Sequence, residues 1–326
     1  MIACSAVLCG ARSFSEMEDF GNANRFWFER HFALKNGIPS HDTFRRVFSL
    51  VDAREFETAF IQWAHSAAGE LKRISIDGKA VKGSVTKMGP NPLQNVNVYD
   101  HESGLAIGQS PANNAGFGEI KGVLDIIDFL EIKKCLVSVD AANSCASVAS
   151  GLKAKKADYL MPLRDTNTQY RAEAFEMFNT HHPLTTSQTD DTDHGRVEGR
   201  YAETMTVARM SDAFKSTYPS AKTIIRVIRG RDAADYRIST RTTKDGGEFI
   251  YERNLAERRV SVHEEYYFTS RKMTAEQALQ AIRDHWQIEN KLHWQLDVAF
   301  GEDQWTVRDR IAVRNLSILE SVRFFV

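Results

Sequence analysis

The sequence is poor in the residues that mark several common classes of protein. Among its 326 residues are four cysteines, Cys4, Cys9, Cys135 and Cys145. No pair has C-x-x-C spacing, and the C-x4-C pair near the start lacks a second half-site to complete a metal cage. So few cysteines suit a reducing compartment better than a disulfide framework. Seven prolines and 19 glycines exclude a collagen-like or low-complexity chain. No apolar run approaches the roughly 20 residues that a membrane-spanning helix needs. The stretch Ile2 to Cys9 is apolar but has no basic leader, so the expected location is the cytoplasm. Neither sign of charge is in excess: 42 Lys+Arg stand against 43 Asp+Glu, a formal net charge of -1. That balance excludes a chain basic all over, such as a nonspecific nucleic-acid coat, yet it allows local basic surfaces. What remains is globular composition, 42% hydrophobic and 26% charged, long enough for two domains or one core with a large insertion.

Three textures follow one another. Residues 1–70 read as helical. Met1 opens on an apolar stretch with no cap residue, as though the chain began partway along a helix. Ser15 and Glu18 form a capping-box pattern, and Phe20, Phe26, Trp27 and Phe32 supply apolar positions. After the turn 37-GIPS-40 comes a segment with Arg45-Arg46, then a helix over Glu55 to Leu71 with Phe56, Phe60, Trp63 and Ala64 at helical spacing. Short helices with an arginine pair suit either a helix-turn-helix-like DNA-binding unit or a plain bundle with solvated arginines.

From Arg73 the period changes. Ile74 to Asp77 alternates and ends at Gly78, the form of a short strand closing at a turn. Val96–Tyr99 and Leu105–Gly108 read as a hairpin, and Gly122–Leu130 as an amphipathic helix. Cys135–Val139 reads as a buried strand ending at Asp140, Ala141–Lys155 as a helix and Tyr159–Leu163 as a strand. Hairpin strands followed by helix, strand, helix and strand predict a mixed α/β sheet. Residues 185–270 turn β-rich and polar, with strands expected near 201–207, 222–228, 236–241 and 265–270 and a turn at Gly246-Gly247. Thr274 and Gln277 then form the capping box of a long helix whose apolar positions are Ala278, Leu279, Ile282, Trp286, Ile288 and Leu292.

The candidate chemistry is carboxylate chemistry. Asp77 and Asp140 each stand at an expected strand end, where open α/β sheets present polar groups to ligands. In 285-HWQIENKLHW-294, His285, Glu289 and His293 recur every fourth residue and stack on one helix face. That face could hold zinc by itself. Alternatively Glu289 joins Asp77 and Asp140 in a three-carboxylate site for a hard cation such as magnesium. A solvated helix edge is the third reading.

The stretches 76-IDGKAVKGS-84, 137-VSVDA-141, 194-HGRVEGR-200 and 285-HWQIENKLHWQLDVAFGED-303 resemble the DDE-type insertion-sequence transposases of the H-repeat-associated (ISAs-type) family. Upstream, 37-GIPSHDTFRRVF-48 resembles that family's N-terminal associated domain. The resemblance implies an α/β fold with a ribonuclease-H-like mixed-sheet core and a β-rich insertion, preceded by a small helical domain. The implied division is a helical domain at 1–70, the first part of the core at 71–184, the insertion at 185–270, and the catalytic helix and tail at 271–326. It also implies that Asp77, Asp140 and Glu289 form the catalytic and metal-binding triad, holding two Mg2+ or Mn2+ ions with DNA bound. The implied activity is cleavage of DNA phosphodiesters and transfer of 3′-hydroxyl ends to target DNA. The implied partners are double-stranded DNA, as element ends and target, and a second copy of the chain on that DNA, with no membrane and a nucleoid-associated location.

Basic groups gain meaning in that setting. Residues 72–87 carry a local excess of four positive charges, and residues 222–244 an excess of five. Lys79, Lys82, His194, Arg196, His285, Asn290 and His293 are the expected DNA contacts, whereas Trp286 and Trp294 read as core. The sequence departs from the family where Met and Gly usually follow the second Asp-Ala, here 140-DAANSC-145. It departs again where Leu-Lys-Gly-Asn-Gln is usual, here 163-LRDTN-167. These departures leave the triad intact and open a second reading: a decayed or domesticated copy acting as a metal-dependent nuclease or as a noncatalytic DNA-binding protein.

Overall fold

In a computed structural model the described residues are 1–85, 92–112, 118–164, 168–193, 196–231, 238–242, 248–252, 261–305 and 307–325. The chain folds as two compact units, residues 1–135 with 286–326, and residues 136–285.

The first unit opens with five helices: α1 (Ile2–Leu8), α2 (Phe14–Ala23), α3 (Arg25–His31), α4 (His41–Leu50) and α5 (Ala53–Ala68). The N-cap of α2 is Ser13, whose hydroxyl accepts the Glu16 N–H, while Glu16 reaches back to the Arg12 N–H at 2.6 Å. The capping box therefore lies two residues before the Ser15/Glu18 pair expected for it. The turn at Gly37 to Ser40 is present, with Ser40 capping α4 and Asp52 capping α5. Phe28, not Phe26 or Trp27, anchors α3: Phe28 is buried, whereas Phe26 is 80% exposed. A seven-residue helix turns little of its surface inward, and that place is taken by Phe28.

Next come β1 (Arg73–Val81), β2 (Leu93–Asp100) and β3 (Ala106–Ala112), an antiparallel meander, followed by α6 (Gly118–Phe129). β1 does not close at Gly78. It runs on to Val81, because Gly78 to Val81 continue the ladder against Val96 to Leu93. Asp77 thus lies in mid-strand.

In the second unit, β4 (Leu136–Val139), α7 (Ala146–Ala154) and β5 (Asp158–Pro162) form a parallel strand–helix–strand crossover. Residues 141–143 form a turn, so α7 starts later than expected. Then follow α8 (Thr168–Thr180), β6 (Thr185–Asp193), β7 (Arg196–Thr206), α9 (Asp212–Thr217), β8 (Thr223–Arg231), the hairpin β9 (Ile238–Thr242) with β10 (Glu248–Glu252), β11 (Ser261–Thr269) and α10 (Ala275–His285). From β4 the sheet order is β4-β5-β11-β8-β7-β6, so the β-rich stretch extends the same sheet through β11. The expected Gly246-Gly247 turn lies outside the described residues. The capping box of α10 is present, with Thr274 N–H to Gln277 at 3.0 Å and Gln277 N–H to Thr274 at 3.3 Å.

The chain then returns to the first unit. The long helix expected through Leu292 does not continue regularly: Ile288–His293 and Gln295–Ala299 are π-helical, and α11 (Arg310–Ser321) follows. Ala6, Val7, Met17, Phe28, Phe44 and Phe48 share a buried core with Val81, Trp305, Val313 and Leu316. The antiparallel meander, the parallel crossover and the helices between them make this a mixed α/β fold. Among the described residues no helix is long and apolar enough to cross a membrane.

Candidate functional site

Strand alternation puts Asp77 and Lys79 on one face of β1, and their ladder partners on β2 are Asn97 and Asn95. Asp77 is buried, and its Oδ1 accepts the Gly78 N–H at 2.9 Å. Its Oδ2 lies 3.7 Å from Nδ1 of His293. The other ring nitrogen of His293 lies 3.3 Å from the Asn97 amide nitrogen. One imidazole therefore spans both members of the Asp77–Asn97 rung. Glu289 is exposed, on the same π-helical segment as His293.

The next rung is ionic. The Lys79 ammonium is 2.5 Å from Glu302 and 2.7 Å from Asp297. Ser317 donates to Glu302 at 2.7 Å and accepts from Asn95, which stands opposite Lys79. Burial alone would lower the Lys79 pKa, but Glu302 and Asp297 more than offset it and hold the ammonium above its ordinary range. Lys79 is 6% exposed. Its expected role as a DNA contact is thus corrected: the charge is buried and already neutralised by two carboxylates.

Lys82 is exposed and bonds Asp303 at 2.8 Å, which raises its pKa. Gly83 lies against the backbone of the 302–305 turn; a Cβ there would meet the Glu302 carbonyl oxygen at 2.7 Å and the Trp305 nitrogen at 2.9 Å.

In the second unit Asp140 directly follows β4. Its Oδ2 accepts the Ala142 N–H at 3.0 Å, and its Oδ1 accepts from the Asn143 backbone at 3.0 Å and side chain at 2.7 Å. Arg164 donates to the Ala141 and Ala142 carbonyls of that turn. His285 pairs with the Ser138 hydroxyl at 3.0 Å. Burial lowers its pKa to about 4, against the pull of Asp140, so it is neutral at pH 7. In this structure it is a polar partner of β4.

Of the other expected contacts, Asn290 is exposed and His194 lies outside the described residues. Arg196 opens β7, with its side chain outside the described set. Trp286 and Trp294 are exposed, 38% and 56%, and not core. The apolar stripe is carried by Ile288, Leu292 and Leu296, which pack on Tyr99 and Ala106 and leave both indoles outside. The regular helix that would stack His285, Glu289 and His293 on one face, as the zinc reading requires, ends at His285.

Asp77, Asp140 and Glu289 offer hard oxygen donors, and the carboxylate oxygens of Asp77 and Asp140 accept backbone N–H bonds that fix their orientation. That chemistry fits a divalent cation such as magnesium or manganese. Among the described residues no group of three or more His, Cys, Asp or Glu is drawn together for a metal.

Sequence reasoning missed Asn97, Asp297, Glu302 and Ser317. A signal existed for one of them, because Asp297 continues the four-residue spacing of Glu289 and His293.

Comparison with known proteins gives two family matches, "Transposase DDE domain" over residues 44–320 and "DDE_Tnp_1-associated" over residues 1–64. "Putative transposase YncI" of Escherichia coli O157:H7 is 30% identical over 93% of this chain and 74% of its own length. "H repeat-associated putative transposase YhhI" of Escherichia coli K12 is 27% identical over 94% of this chain and 78% of its own. Among solved structures, a piggyBac transposase synaptic complex with hairpin DNA aligns at a TM-score of 0.42 and 10% identity, covering 99% of this chain and 64% of that one.

Proposed function

The chain belongs to the transposase DDE domain family, and on that premise we propose that it cleaves DNA phosphodiesters and transfers the freed 3′-hydroxyl ends to target DNA. Asp77, Asp140 and Glu289 are the carboxylates that would hold Mg2+ or Mn2+, two ions with DNA bound. The chemistry such ions supply when bound is activation of the attacking oxygen and stabilisation of the leaving one. The chain's own residues prepare the carboxylates. His293 orients Asp77 against Asn97, and the turn after β4, braced by Arg164, presents Asp140 with its oxygens fixed. The observation that carries the reading is the His293 link. It ties the Asp77 strand to the segment bearing Glu289, although 212 residues separate the two acids in sequence.

Lys82, Arg196 and Asn290 are the groups proposed to meet phosphates, with binding that weakens as salt rises. A pair of chains bridging two DNA ends completes the reading.

Nicking of supercoiled plasmid with Mg2+ or Mn2+ tests it. Wild-type protein nicks, and Asp77→Ala, Asp140→Ala and Glu289→Ala variants lose the activity while still binding DNA. Equal nicking by wild type and Asp140→Ala would refute the catalytic assignment. The departures at 140–145 and 163–167 favour one second reading, nuclease or DNA binding without strand transfer. Strand transfer of pre-cut ends in the same reaction separates it from the first.

A further inference from the structure

Lys79 is a buried lysine two residues from Asp77, and the proposed reaction gives it no task. Its partners define one. On β1, Asp77 and Lys79 are consecutive residues of one face. On the facing segment, His293 and Asp297 are four residues apart, and Glu289 lies four residues before His293. His293 meets Asp77, and Asp297 meets Lys79, so two steps of one ladder match two steps of the other. The second contact is charged and buried, and it reaches further: Glu302 and Ser317 carry it to Asn95 on β2.

We infer that Lys79 is a positioning residue, whose buried ammonium, gripped by Asp297 and Glu302, sets the register of the Glu289-bearing segment against the strand that carries Asp77. Its consequence for catalysis rests on the function proposed above; its consequence for structure does not. The π-helical turns give the clamp its reason. A π turn breaks the regular i to i−4 bonding and occurs mostly as a local irregularity at functional sites. A segment built of such turns has alternative registers close at hand. Removing a single partner of a buried charge is strongly unfavourable, so a slip that carried Asp297 away from Lys79 would be selected against. An apolar contact tolerates such a slip far better, because it is non-directional.

The test pairs two readouts on the full chain. The variants are Lys79→Met, Lys79→Arg, and the double variant Lys79→Met with Glu302→Met, which removes the two deeply buried charges together and leaves only Asp297, whose side chain is 32% exposed and reaches water, so that the fold stays viable. Hydrogen exchange of residues 288–299, measured without metal or DNA, reports the register. Single-turnover nicking at saturating DNA reports the consequence. The expected result is faster exchange confined to 288–299 in both methionine variants, with protection of α4 and α11 retained. The saturated rate falls on the order of 100-fold, the cost of misplacing reacting groups by about 1 Å. The dissociation constant for DNA moves less than about twofold, and Lys79→Arg restores part of both readouts.

Wild-type exchange and wild-type saturated rate in the double variant would overturn the inference. So would a loss that disappears at saturating DNA, since that is the behaviour of a phosphate contact. If the wild-type protein itself fails to nick, the proposed function falls, and the exchange comparison still decides the clamp.

Discussion

His293 and Asp77 approach to 3.7 Å across 216 residues of sequence, with Asn97 completing the other side of the imidazole. A histidine that fixes a carboxylate without being a proposed metal ligand belongs to the outer shell, where substitutions typically cost 10- to 100-fold in metal affinity or activity. His293→Ala is expected to slow nicking by about that factor and to raise the Mn2+ concentration needed for half-maximal rate. A rate and metal dependence equal to wild type would remove His293 from the site.

Lys82 is exposed, and Asp303 takes both its ammonium and its backbone N–H. If it meets a phosphate, Lys82→Ala reduces the slope of log K against log salt by about 0.9. Fluorescence anisotropy over a salt series measures this. An unchanged slope assigns Lys82 to the Asp303 bridge only.

The pH dependence of stability is predicted from Glu320. Burial pushes its carboxyl up to about 8 although Arg323 lies 2.8 Å away; Glu302 adds to the rise and Arg12 opposes it. The unfolded group has its ordinary value near 4.5. Between these values the folded chain holds a proton that the unfolded chain has released. The stabilisation from this group is therefore complete below about 4.5 and is lost as pH rises through about 8. Glu320→Gln should flatten that decline, by at most about 1.4 kcal/mol per pH unit. Denaturant midpoints at pH 5, 7 and 9 give the check, and parallel curves for both proteins would contradict it.

Two backbone predictions concern motif residues. Gly83→Ala forces a Cβ onto backbone atoms of the 302–305 turn, which cannot swing aside as a side chain would, and should cost about 1–3 kcal/mol. Thr274→Ala removes the N-cap hydroxyl of α10 and should cost about 1 kcal/mol. Thermal unfolding distinguishes them from neutral surface changes; a shift within error for Gly83→Ala would mean the turn relaxes.

Local rules were readable where local chemistry decides. Thr274 and Gln277 announce a helix start in four residues, and the hairpin flanking Asp100 to Leu105 announces itself by alternation and a turn. The strand ahead of Asp140 is equally plain, since an apolar run simply stops. Gly78 looks like the end of β1 because glycine usually punctuates, whereas the ladder to β2 carries the strand past it. The π turns escaped because their apolar positions still fit helical spacing. Lys79 is illegible in the sequence for a deeper reason. A lysine in a basic stretch resembles a phosphate ligand until its acids, at 297 and 302, are seen to fold onto it.

Residues 1–135 and 286–326 build one unit, with 136–285 placed between them in sequence. On a ribosome this order is a delay. Lys79 is made 218 residues before Asp297, an interval on the order of 10 to 40 s at common elongation rates. Through that time the nascent chain owns a lysine destined for the interior and none of the acids that neutralise it. The Lys79 ion pairs of this face of the meander therefore form only after residues 297 and 302 have been made.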